Sequence, residues 1–531
     1  MTSQSEEHIR DHAGPVNVHG ALSVPIAAYA TRRAGRRRKD LTGTTGIAPP
    51  ARYNGLLPGR RISPQRLAGL PRNARVWAAA VIAGLTLASM AAVTALPHGS
   101  AVPSLLTEGI AQDPCHSQDV LAVPPGVRGQ YIPGSSVLYS RGAAYVAPGR
   151  FVPVTAAEDA CIHDTVRGSQ RWLYSGTIPG DSPQLRAMAI RALLDLRLST
   201  QPDGAVAAGW RPYWRYSWPR DSSWAAVALA DTGHRADAFH ILQFFQRTQL
   251  ADGGWAARYW TDGSGPVRDG RPAELDAVGW VPWAVWSWGA AQPQGNRVVR
   301  RQLAGLWPMV SAAADAAVRS LSADGLPSAS MDYWENSVQV TLGTAAALLV
   351  GLHAAVALAG EFGVAGQAVI WAEAGARLSA GIRAAFGHHG YHRLPYVASG
   401  ADAAVTFLGP PFEPLGSALR WAVLSAQRAL TLKPGGGLLP GTSWPGNKTV
   451  AWTAETAFFA LFWASAGDRA QSAGILSWLA AHRTGLGALP EQVTGSGRQV
   501  SVAPLAWTDA VVLLALLAQG HRLPVPGGPA A

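Results

Sequence analysis

After Asp181 apolar residues return at every third or fourth position, and Gly/Pro-rich breaks separate the runs. That is the period of an amphipathic helix rather than the alternation of a strand. Twelve segments are predicted to be helical: 183–199, 221–231, 234–249, 274–290, 296–321, 336–360, 363–386, 401–408, 414–431, 452–466, 468–483 and 504–519. Ser182 followed by Pro183 marks the first start, since serine caps a helix and proline fits its first position. In the third segment Ala238, Ile241, Leu242 and Phe245 fall on one face. No strand-rich stretch interrupts the series. The expected fold is all-α, six helical hairpins closed in an (α/α)6 barrel over residues 181–522, with a short tail at 523–531.

Upstream the pattern changes. Residues 98–180 are rich in Pro and Gly with short β-like stretches such as SSVLYS, and read as a small β-rich or irregular stem without chemistry of its own. Val76 to Leu96 is an uncharged apolar run, long enough as a helix to span roughly 30 Å of hydrocarbon. Arg-rich sequence precedes it, which marks the cytoplasmic side. We expect a disordered basic cytoplasmic tail at 1–75, a transmembrane signal anchor at 76–97 and an extracytoplasmic barrel. A cleaved signal peptide is the rival reading, for which the leader and the apolar run are both long.

Charge sharpens this division. The net charge of +11 is concentrated in residues 1–75, which carry +9, and only +2 belongs to the rest. A nearly neutral body argues against nucleic acid as a partner. The two cysteines, Cys115 and Cys161, both fall in the stem, where an oxidising compartment would allow a bridge; two free thiols are the other reading.

Candidate chemistry clusters at alternate segments: WPRD, ELDAVGW, DYWE, ASGAD, AWTAE and LPEQ lie at or just before their starts. If the even helices form the inner ring, their N-terminal ends share one rim and these clusters meet at one pocket. Inverting hydrolysis of a glycosidic bond needs a carboxylic acid to protonate the leaving oxygen and a carboxylate to activate water. Glu335 in MDYWE is the candidate acid, its pKa expected to rise through burial beside the Trp334 indole. Glu491 in LPEQ is the candidate base. Either glutamate alone would read as a surface residue of a loop.

The stretches YSWPRDSSWAAVALADTGHRADAFHILQFFQRTQ, RPAELDAVGWVPWAVWSW, MDYWE, ETAFFALFWASAGDRAQSAGILSWLAAHRTGLGALPEQV and APLAWTDA resemble, in order and spacing, glycoside hydrolase family 15. This is the glucoamylase group, which also contains glucodextranases and some trehalases. The resemblance spans about residues 205–515. It implies the (α/α)6 barrel, an exo-acting inverting hydrolysis of α-glucosidic bonds, Glu335 as general acid and Glu491 as general base. It also implies that Trp218, Arg220 and Asp221 bind the non-reducing sugar, with Trp280, Trp334 and Trp507 shaping the subsites. An oligo- or polysaccharide is the expected partner, and no cofactor or metal is needed. Two departures concern the leaving-group subsite. Asn336 stands where the family usually has a second glutamate, and LLPGTSWPGNKTV carries no arginine, its one cation being Lys448. A non-catalytic or degenerate carbohydrate-binding barrel of the cell envelope is therefore the alternative. His388, His389 and His392 could suggest a metal, but no Cys or acidic partner lies near them in sequence. QLADGGW resembles one repeat of the terpene-cyclase toroids, without a second convincing copy or a DxDD acid motif.

Overall fold

The structure, a computed structural model, describes residues 104–115, 119–147, 149–293 and 295–527. The basic tail and apolar run at 1–97 lie outside the described residues. In the stem, β1 (Gly109–Gln112) pairs antiparallel with β2 (Val120–Val123). An antiparallel meander follows: β3 (Gln130–Tyr131), β4 (Leu138–Ser140), β5 (Ala143–Val146) and β6 (Arg150–Pro153). The stem then departs from expectation. Thr155 and Glu158 cap each other's backbone amides and start a 20-residue helix, α1 (Ala156–Ser175). Its Ile162 and Val166 pack on Val137 and Ala144 of the meander.

The barrel begins as predicted, with the Ser182 side chain accepting the Leu185 amide at 3.2 Å and Pro183 opening α2 (Pro183–Ser199). The remaining helices are α3 (Pro219–Asp231), α4 (Arg235–Thr248), α5 (Ala277–Ala290), α6 (Arg297–Ser320), α7 (Leu342–Phe362) and α8 (Ala365–Phe386). A 3-10 turn (Ala403–Leu408) and the helices α9 (Ser417–Leu430), α10 (Thr453–Ser465), α11 (Arg469–Ala481) and α12 (Ala506–Gly520) complete the ring. Around its inside, α3 packs on α5, α5 on α7, α7 on the 3-10 turn, the turn on α10, α10 on α12, and α12 again on α3. Each inner element is backed by an outer helix, for example α4 behind α3 and α8 behind α7.

The inner helices are apolar almost all round because both faces are covered. Helix α7 is long and apolar enough to cross a membrane, yet here it is a buried barrel helix. It meets α5 at a glycine pair: a Cβ on Gly279 would strike the Ala347 carbonyl, and one on Gly351 would strike Gly279. The fourth inner element differs from the predicted helix 401–408. Asp402 caps it, but Gly409-Pro410-Pro411 follows at once, and proline cannot continue a helix. Short strands cross the rim: β7 (Tyr216–Ser217) pairs with β8 (Tyr259–Trp260), while β10 (Gln492–Thr494) lies between β9 (Val450–Trp452) and β11 (Gln499–Val500).

Candidate active site

Because the inner helices all begin at one rim, their first turns and preceding loops enclose a common cavity of about 280 Å³. Trp218, Arg220, Asp221, Trp334, Glu335, Glu491 and Trp507 all line it. At its base Arg220, in the first turn of α3, gathers carboxylates from three elements. Its guanidinium pairs with Glu274, with Asp276 at 3.3 Å, with Asp221 at 3.3 Å and with Glu335 at 3.7 Å. Burial opposes the charge of Arg220, but these acids hold it protonated above its ordinary value. Burial in turn pushes Asp221 up to about 6 and Glu274 up to about 8, against the pull of Arg220. The face of Trp507 lies 5.0 Å from the same guanidinium.

Glu335 projects from a bend in the connection between α6 and α7. Asp332 braces that bend through the Trp334 amide, at 3.1 Å, and through its own carbonyl, which accepts the Glu335 amide at 2.8 Å. Arg393 ties Asp332 and Asp402 together at 2.8 and 2.9 Å and lies 3.5 Å from the Trp334 ring centroid. Glu335 itself adopts φ = 51°, a left-handed conformation that an ordinary side chain adopts at roughly 1–3 kcal/mol. Its side chain is 26% exposed and pairs with two guanidiniums, Arg220 and Arg271. The carboxylate thus faces two cations in addition to the Trp334 side of the cavity.

Glu491 is the more buried of the two. Its Oε1 accepts the Trp214 indole N–H at 3.1 Å, and its Oε2 accepts the Ser501 hydroxyl. Its carbonyl accepts the Thr453 amide at 3.0 Å, fixing the strand edge that carries it. Burial raises its pKa, with the Ser501 and Trp214 hydrogen bonds pulling the other way. The stem, read as without a role in the chemistry, supports this wall: Leu106 and Ser104 bond the Ser501 backbone at 2.8 and 3.1 Å, and Thr107 accepts the Ala503 amide at 3.0 Å.

Several lining residues were not singled out in the sequence. Arg258 follows the QLADGGW turn, lies over the Tyr216 and Trp218 rings at 4.2 and 5.3 Å, and pairs with Asp269. Arg271 comes from the loop between β8 and α5. Glu455 stands within the AWTAE cluster; burial and the Glu491 charge lift it to about 8, and its Oε2 is unbonded. Other expected contacts fall elsewhere. Trp280 is buried among Trp224, Trp283, Phe407 and Phe412 and does not line the cavity. Asn336 is exposed and accepts from Ser337 at 3.1 Å. Lys448 donates to the Thr442 carbonyl at 3.0 Å within its own loop, so it does not replace the absent arginine. Cys115 and Cys161 are free thiols rather than a disulfide, brought within hydrogen-bond reach where the stem sheet meets α1. Among the described residues no group of three or more His, Cys, Asp or Glu is placed to hold a metal, and His392 accepts the Gly400 amide at 3.1 Å.

Similarity to known proteins agrees with the barrel. A glycosidase solved in wild-type form and as variants, one with glucose bound, superposes with a TM-score of 0.54 at 19–20% identity, over 64% of this chain and 97% of that one. A bacterial glucoamylase complexed with acarbose gives 0.55 at 15% identity, over 70% of this chain and 60% of that one. The glucoamylase from Saccharomycopsis fibuligera gives 0.50 at 13% identity, over 73% and 99%. The chain has the glucoamylase barrel fold. In sequence, 97 residues are 30% identical to an uncharacterized glycosyl hydrolase of Methanocaldococcus jannaschii, covering 18% of this chain and 15% of that relative. No family model matches the chain.

Proposed function

We propose that the chain is a glycoside hydrolase that releases glucose from the non-reducing end of α-linked glucosides with inversion. One observation carries the reading: Glu335 and Glu491 face the same cavity as the Arg220–Asp221 pair. Asp221 can accept from sugar hydroxyls, and Trp218 and Trp507 offer apolar faces to the ring. A cavity of about 280 Å³ is at the small end for a ligand pocket and suits one sugar unit, hence exo action. In the reaction the bond from the anomeric carbon to the leaving oxygen breaks, and that oxygen takes the proton of Glu335. A water oxygen bonds to the anomeric carbon from the opposite face and gives its proton to Glu491. Both changes are needed for one turnover.

The test is incubation with a panel of α-glucosides, following the released anomer by NMR. β-Glucose first supports inversion, and α-glucose first overturns it. Glu335→Gln and Glu491→Gln should each lower kcat by roughly 10²–10⁴-fold. A second reading, carbohydrate binding without turnover, is favoured by the Arg271 guanidinium set against Glu335. Sugar binding with no product would select it. We also place the barrel outside the cytoplasm on the strength of the Val76–Leu96 run and the arginines before it. Protease digestion of intact cells that left the barrel untouched would reverse that orientation.

A further inference from the structure

Arg271 lies in the cavity on the side of Glu335, where the leaving group of a glucoside must sit. Its guanidinium pairs with the Glu335 carboxylate, and its Nε reaches only the edge of Asp269, at 4.0 Å. The side chain is 28% exposed, so its guanidinium is open to an incoming ligand from solvent. Next to it Arg258 is buried, bonded to Asp269, and its Nε–H has no partner. Arg220, by contrast, already faces three buried acids, Asp221, Glu274 and Asp276.

A carboxylate held by Arg271 cannot protonate a leaving oxygen. A neutral leaving group offers the guanidinium no anion in exchange, so drawing Arg271 away would leave it only Asp269 at 4.0 Å and would leave Glu335 only Arg220 at 3.7 Å, in a half-buried site. A leaving group with its own carboxylate or phosphate offers a bidentate replacement, and Glu335 is then free to take a proton. We propose that Arg271 is the specificity-determining residue of the leaving-group side, selecting α-glucosides whose leaving group carries a negative charge. This rests on the hydrolase reading above and names its substrate class.

The experiment compares the α-glucoside of lactic acid with that of its methyl ester, which differ in charge and little in shape. With the full chain the acid should be cleaved with a kcat/KM roughly tenfold or more above the ester. In Arg271→Ala that ratio should collapse towards one, and Arg271→Lys should restore part of it. Equal cleavage of acid and ester by the unaltered chain overturns the proposal and leaves the hydrolase reading standing. If neither is cleaved, the α-glucoside panel decides the hydrolase reading separately, and calorimetric binding decides the role of Arg271. Acid bound about tenfold tighter than ester by Glu491→Gln, with the preference lost in the Arg271→Ala double variant, supports selection by charge. Equal binding overturns it.

Discussion

The two walls of the cavity hold their glutamates in opposite ways. Glu335 is partly exposed, on a strained bend, and set between two guanidiniums. Glu491 is buried and, among the described residues, meets no cation; its two oxygens are held by an indole N–H and a hydroxyl. The first arrangement stabilises charge by Coulomb attraction, and the second withdraws water and raises the pKa. Acid–base pairs are separated by such differences of environment. In the free protein Arg271 occupies the Glu335 carboxylate, which is why the occupant of the leaving-group side matters.

Removing the shared cation should disturb this contrast most. Arg220→Met would leave Asp221 and Asp276 buried without their counter-charge and take a donor from Glu274, a loss of about 3–5 kcal/mol at pH 7 by urea unfolding. The loss should shrink as pH falls, because protonation relieves the uncompensated carboxylates. An equal loss at pH 5 and pH 7 would mean that packing, not charge, holds α3 to the loop before α5. A smaller effect is expected from Glu455, on the Glu491 wall. Its folded-state value of about 8 exceeds the ordinary 4.5, so its contribution is fully present below about pH 4.5 and is lost as pH rises through about 8. Glu455→Gln should therefore raise Tm at pH 9 relative to the unaltered chain, by roughly 2–4 °C for each kcal/mol recovered, with little gain at pH 4. A Tm difference independent of pH would show that Glu455 does not titrate on unfolding.

Much of this architecture was legible in the chain. The helical period located the barrel helices closely, because inner and outer helices differ in how much of their surface is apolar. The polar clusters mark the rim for a geometric reason: alternate helices of a hairpin ring start at the same end. Helix α1 could have been found from Thr155 and Glu158, whose spacing is that of a capping box, but the surrounding Pro and Gly drew attention to strands. Trp280 could not be separated from the lining tryptophans, since an inner helix is apolar on every face and the turn facing the cavity is fixed by packing. Arg258 drew no attention, and Arg271, although it opens the quoted stretch RPAELDAVGW, carried no sign of its role. They belong to a long connection without periodicity, and what they touch depends on how that connection folds across the mouth.

The smallest expected effect concerns the bend itself. Glu335 holds φ = 51°, a conformation that glycine adopts freely. Glu335→Gly should relieve that strain at the price of the Arg220 and Arg271 pairs, the first 3.7 Å long and the second partly open to solvent. Partly exposed pairs contribute at most about 1 kcal/mol, while the strain is of the same order or larger, and glycine's extra freedom in the unfolded chain offsets part of the gain. The net change in unfolding free energy should thus be within about 1 kcal/mol of zero, and Glu335→Ala, which keeps the strain and loses the pairs, should be the less stable of the two. Both variants should lack turnover. If the alanine variant proved as stable as the glycine one, the bend would not be strained, and the carboxyl would sit in the cavity without any backbone conformation held to place it there.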